Sequence, residues 1–186
     1  MKRFNPEPHN VFGGKYPPKH PIRKILYIRK DQILGDIDAS IELVATTHTR
    51  EDGSPMPVFQ NALERYKSLF DRWINKYFDK TKERVAAYLT VPIQKGSMNA
   101  KLDWKERELH LLFPFGWDET TFDAMSGAVH DYIVNSVLAE FFAMTITSKD
   151  PITVDKLELA DDAYSNIKRY TMVRTPEATL KKLHPF

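Results

Sequence analysis

Phe59, Ala62, Leu63, Tyr66, Leu69, Phe70, Trp73, Ile74, Tyr77 and Phe78 recur at i, i+3, i+4 and i+7. That spacing lines one side of an α-helix and fits no other regular structure. Glu64, Arg65, Lys67, Asp71 and Lys76 fall on the opposite side. An amphipathic helix of this kind must bury its stripe, so the chain is expected to fold as helices around a shared core. Hydrophobic residues make up 42% of the 186-residue chain and aromatics 12%, enough to fill such a core in one domain.

Three further helices follow from the same kind of pattern. Asp31 reads as the cap of a helix running to about Thr47, with Ile33, Leu34, Ile37, Ile41 and Val44 on one face and Gly35 as a weak point. Asp118 or Thr120 caps a third helix reaching about Thr147, with Phe122, Met125, Val129, Tyr132, Ile133, Val137, Phe141 and Met144 on its core face. Leu138 and Phe142 widen that face, which suits the centre of a bundle or a subunit interface. Asp150-Pro151 places an N-cap before a proline at the first helical position, and Leu157, Ala160, Tyr164, Ile167 and Tyr170 continue in register until Pro176 ends helical potential.

Between the second and third helices, Val85 to Ile93 and Arg107 to Phe113 read as two strands joined through Lys95-Gly96-Ser97-Met98-Asn99. Leu109, Leu111 and Phe113 alternate with His110 and Leu112 in the second of them. Ile25 to Ile28 is a short apolar run that periodicity alone leaves open between strand and helix extension. Glu51 to Pro57 is a loop by its turn chemistry. Phe113-Pro114-Phe115-Gly116-Trp117 reads as an aromatic corner sealing the core rather than a ligand pocket. The expected fold is therefore mainly α: a four-helix bundle-like domain (31–173) with an inserted β-hairpin at about 84–113. An extended basic proline-rich arm (1–30) precedes it and a basic tail (174–186) follows.

Pro6, Pro8, Pro17, Pro18 and Pro21 with Gly13-Gly14 make residues 1–22 an extended arm whose Phe4, Phe12 and Tyr16 suit burial against another surface. Residues 1–30 hold eight Lys/Arg against Glu7 alone, a net +7, and residues 168–186 hold five against Glu177 alone, a net +4. The overall +2 then leaves −9 for residues 31–167. Basic ends on an acidic body suggest arms that grip something acidic, or tails charged for solubility.

Several chemistries lack their signatures. With no cysteine, disulfides and thiolate sites are excluded. His9, His20, His48, His110, His130 and His184 form no His-x₃-His pair, Ser97 and Ser126 sit in no nucleophile elbow, and Gly13-Gly14 has no Walker context. Asp36-Asp38 and Asp161-Asp162 read as solvated helix faces, and no catalytic, cofactor-binding or metal-binding residue is assigned. No secretory signal is seen, and Val134 to Thr147, interrupted by Glu140, is too short to span a bilayer. A nucleic-acid-binding module using its basic tails with Tyr16, Tyr27 and Tyr170 is the main alternative. A small enzyme with an unrecognised carboxylate site is the second.

Arg107-Glu-Leu-His-Leu-Leu-Phe-Pro114, Val129-His-Asp-Tyr-Ile-Val-Asn-Ser-Val-Leu-Ala-Glu-Phe-Phe142 and the finish Lys-Lys-Leu-His-Pro-Phe186 carry a family likeness. Over about residues 31–186 the chain resembles the head–tail connector (adaptor) proteins of tailed bacteriophages. The resemblance implies a non-catalytic, cofactor-free virion protein, assembled in the host cytoplasm, forming a homo-oligomeric ring of about twelve copies under the portal. It implies the portal and other neck or tail proteins as partners; any DNA contact is expected to be non-specific and made by the basic arms, and no membrane partner is expected. The long proline-rich arm and the hairpin depart from shorter adaptors, leaving open which neck or tail ring is meant. The residues expected to bind the portal or a neighbouring subunit are Arg174, Leu180, Lys181, Lys182, Leu183 and Phe186, with Phe4, Phe12 and Tyr16.

Overall fold

A computed structural model of the chain describes residues 21–49, 53, 56–90 and 104–175. The protein is mainly helical, with one two-stranded antiparallel sheet. In chain order the elements are β1 (Ile22–Arg29), α1 (Lys30–Thr47), α2 (Ala62–Arg65), α3 (Lys67–Arg84), β2 (Glu106–Phe113), α4 (Phe122–Thr145) and α5 (Pro151–Met172).

The strand pairing corrects the expected hairpin. β2 lies where its alternation puts it, but its partner is β1, in a register running from Ile22 opposite Phe113 to Arg29 opposite Glu106. Residues 85–90 instead end α3. Val85 is fully buried, Ala86–Tyr88 form a 3-10 turn, and only Leu89 bridges to Leu111. The physical reason is pattern length. Arg23, Ile25, Tyr27 and Arg29 face out while Leu26 and Ile28 are buried, an eight-residue alternation that pairs fully with β2. Residues 22–30, expected in the N-terminal arm, thus belong to the body.

α4 is the centre. Met125, Val129, Ile133, Val137, Leu138, Phe141 and Phe142 are essentially inaccessible, and the helix packs against α1, α3 and α5. Asp118 accepts the Thr120 N–H (3.0 Å) and starts a 3-10 turn that leads into α4, as capping chemistry requires. Asp150 caps α5 through the Ile152 N–H (2.9 Å), with Pro151 in the first turn. The short link between α4 and α5 makes them antiparallel neighbours.

The aromatic stripe is core, but not one helix. Phe59 precedes the helical turn of α2, and Tyr66 (φ −110°, ψ 20°) breaks the run before α3. Phe70, Ile74, Tyr77 and Phe78 are buried, whereas Tyr66 and Trp73 are half-buried at its edge. α1 begins at Lys30, so Asp31 lies in its first turn rather than at its cap. Two expected core residues face out: Met144, 47% exposed in the last turn of α4, and Leu157, 49% exposed on α5. The buried face of α5, which packs against α4, consists of Thr153, Ala160, Ala163, Ile167 and Thr171, and it leaves Leu157 on the flank. Ser126-Gly127 does not serve a close helix approach, because a Cβ at Gly127 would meet nothing within 4 Å.

Candidate functional site: the pole where the chain extensions meet the body

The corner at 113–117 is built by ring stacking. Phe113 and Trp117 lie parallel (10°) with centroids 3.8 Å apart, and Phe122 meets Trp117 edge-on at 6.4 Å. The indole Nε1–H donates to the Tyr170 carbonyl (2.9 Å), tying the corner to the last turns of α5. Gly116 makes the turn with φ +80°, a conformation that side chains resist. The tight aromatic corner expected from the sequence is present, and Phe115 at its tip stays 40% exposed.

Both chain extensions join the body here. Ile22, the first strand residue after the N-terminal segment, pairs with Phe113. At the other end, Thr175 donates its N–H to the Gly116 carbonyl (2.9 Å), Arg174 bridges to Trp117, and the Asp118 N–H reaches the Val173 carbonyl at 3.3 Å. Opposite Cα atoms in an antiparallel bonded pair lie about 5.5 Å apart. Three residues then span at most about 11 Å. Segments 1–21 and 176–186 therefore attach within roughly 20 Å of each other on one pole.

Of the expected partner-binding residues, Arg174 alone lies among those described. Its Nη1 donates to the Val173 (3.1 Å) and Thr171 (3.4 Å) carbonyls, so it closes the C-terminus of α5. Phe4, Phe12, Tyr16, Leu180, Lys181, Lys182, Leu183 and Phe186 lie outside the described residues, as do Ser97 and the 95–99 connection. The charge asymmetry also changes meaning. Of the cations assigned to the N-terminal arm, Lys24 pairs with Glu119 (2.6 Å), Arg29 with Glu106 (3.3 Å) and Lys30 with Asp71 (2.6 Å), all inside the body.

Each of the three described histidines faces a carboxylate. His130 Nε2 meets Asp36 at 2.6 Å across α4 and α1, His110 meets Glu108 at 2.9 Å, and His48 lies 3.7 Å from Asp150. Among the described residues no three His, Asp or Glu side chains converge as a metal set. No helix among the described residues is long and apolar enough to cross a membrane. Glu140, which interrupts the greasiest stretch, accepts from Lys76 Nζ (2.5 Å) and from the Tyr77 hydroxyl (2.8 Å). Burial alone would raise its carboxyl, but these two donors outweigh it and hold it below the usual range. Burial, then the Glu140 carboxylate, raises the Tyr77 phenol. Burial, then neighbouring Tyr164, pushes Tyr132 to about 12. Glu140 thus joins α4 to α3, and the His130–Asp36 pair joins α4 to α1.

One feature escaped the sequence reading, the His130–Asp36 pair, whose members lie far apart in the chain, while the strand character of β1 had stayed open against helix extension. The Arg-Lys-Ile-Leu-Tyr-Ile-Arg alternation was the available signal for the strand. No protein-family model, no characterised protein and no solved structure matches the chain.

Proposed function

We propose that this protein is a non-catalytic structural subunit that assembles through its two chain extensions. More specifically, copies form a ring in the head–tail connector of a tailed phage, each with a four-helix bundle-like body, and the ring meets the portal in the virion neck. The observation that carries this reading is the shared pole: residues 1–21 and 176–186 both attach beside the 113–117 corner. Both remain positive after β1 is returned to the body. Four Lys/Arg stand against Glu7 in 1–21, and Lys181 and Lys182 against Glu177 in 176–186. Cations bring such segments to an acidic surface, and Phe4, Phe12, Leu180, Leu183 and Phe186 supply apolar groups to bury on arrival. Exposed Leu157 and Val154 on α5 add apolar surface for contacts between copies.

Sedimentation velocity and negative-stain imaging of the full chain at high concentration test the ring. Removal of residues 176–186 should leave the melting temperature unchanged, because Thr175 and its bond to Gly116 are retained, while attachment to the portal is lost. A truncated protein that attaches normally overturns the assigned role of the tail. A full chain that stays monomeric and instead retains DNA in a salt-sensitive way supports the nucleic-acid reading in its place.

A further inference from the structure

Among the described residues, β1 is paired along one edge only. The Lys30 N–H donates to the Lys105 carbonyl (2.9 Å), which fixes the phase of the ladder. Residues 24, 26 and 28 therefore exchange bonds with 111, 109 and 107, and the backbone groups of Arg23, Ile25, Tyr27 and Arg29 point away from β2. The matching outer edge of β2 is partly covered, since the Thr90 N–H donates to the His110 carbonyl (2.9 Å). On β1 the outward N–H and C=O groups of Arg23, Ile25 and Tyr27 have no main-chain partner among the described residues. A strand of this length with unanswered donors and acceptors is a template for another strand.

The edge borders a groove of about 550 Å³. Tyr27 and Arg29 of β1, Gln32 and Asp36 of α1, and Gly127 and His130 of α4 wall it. Of the sheet, only the Tyr27–Arg29 end of β1 lines it, and no β2 residue does. The bare backbone at Gly127 keeps it open. On the outer face Ile25 is 38% and Tyr27 51% exposed, apolar side chains that an added strand would cover.

Charge selects the occupant. Two β1 strands paired antiparallel about Leu26 would set Arg23 of each copy opposite Arg29 of the other, and paired about Ile25 they would set it opposite Tyr27, so neither register gives Arg23 a carboxylate. Lys24, Arg29 and Lys30 have carboxylate partners within the body, whereas Arg23 has none among the described residues. We propose that the free edge of β1 docks an extended segment of a different protein. That segment carries apolar side chains opposite Ile25 and Tyr27 and a carboxylate opposite Arg23. It lies antiparallel as a third strand, bonded to the main chain of Arg23, Ile25 and Tyr27, with its inward side chains in the groove beside the His130–Asp36 pair.

The probe is a capped synthetic peptide, Thr-Val-Thr-Val-Thr-Glu-Thr, added to the full chain. Amide exchange followed by NMR should slow at Ile25 and Tyr27 and stay unchanged at Leu26, whose N–H already serves β2. Ile25→Pro removes an outward donor and no ladder bond, so the fold should survive while peptide affinity falls about tenfold, the loss of one hydrogen bond. Should that variant unfold, Arg23→Glu keeps the test. It should weaken binding of this peptide and favour one with Lys in place of Glu. Unslowed exchange at Ile25 and Tyr27 at the highest peptide concentration overturns the proposal, and so does an Arg23→Glu variant with unchanged preference. A peptide-free dimer that Ile25→Pro abolishes also overturns it, since the occupant is then a second copy.

Discussion

Lys30, the first residue of α1, holds its ammonium 2.6 Å from the Asp71 carboxylate of α3, with only 9% and 14% of the two side chains exposed. The contact fastens the β1–α1 junction to the aromatic helix, and Trp104 lies over the same ammonium at 5.8 Å. Removing one member of a buried pair strands the other charge. Asp71→Ala should cost on the order of 3 kcal/mol in a denaturant titration. A loss under about 0.5 kcal/mol would place this pair among ordinary surface ion pairs.

Phe70 and Trp73 share a stripe but not a depth. Phe70 is fully buried, with ring centroids 5.3 Å from Phe141 and 5.8 Å from Trp73. Phe70→Ala should cost about 3–5 kcal/mol. Trp73, half-buried, should cost about 1–3 kcal/mol when cut to alanine. Equal losses at the two sites would contradict this ranking.

Stability should fall as pH rises from about 10 towards about 12. An unfolded tyrosine ionises near 10, whereas folded Tyr132 holds its proton to about 12 and Tyr77 is raised in the same direction. Above the unfolded value the unfolded chain releases protons that the folded chain keeps, so unfolding becomes more favourable as pH rises through that window. Two phenols should therefore appear late in the ultraviolet titration of the native protein. Tyr77→Phe should remove one of them and cost about 1 kcal/mol at neutral pH through the lost bond to Glu140.

The acid side has the opposite sign. Glu140 is held below its ordinary range, so its stabilisation is present above the unfolded carboxyl value and is lost as pH falls through the lower folded one. Melting curves of Glu140→Gln should show a shallower acid dependence than those of the parent protein. Parallel curves would mean that Lys76 and Tyr77 contribute nothing through this carboxylate.

Gly116→Ala forces a side chain into a left-handed turn and should cost about 1–2 kcal/mol. Its sharper signature is local. Amide exchange at Thr175, whose partner is the Gly116 carbonyl, should accelerate far more than exchange at Ile133 in the middle of α4.

Helices announced themselves because periodicity and caps are local. Asp118, Asp150 and Pro151 act at the places their chemistry fixes, and the α4 face is read from spacing alone. The choice of strand partner was not local. Ile25–Ile28 and Val85–Ile93 are both apolar runs, and the choice between them rests on the alternation extending over all of Ile22–Arg29 and on packing that buries Val85 beyond the end of α3. Ala160 was read in register from the sequence, whereas Ala163, which carries as little hydrophobic signal, was not, although both are buried on α5. At the pole, the corner was legible from Phe113 and Trp117. That both extensions attach there was not, because it depends on Ile22 finding Phe113 across the sheet.

The closeness of Ile22 and Thr175 also makes the body nearly circular in its connectivity. A linker of a few flexible residues between them would close a loop whose ends are already held, so the entropic cost of joining them is small. New termini could then be opened at an exposed surface turn such as Thr147–Lys149. Such a permutant would carry the whole of 22–175 with neither extension at its native position.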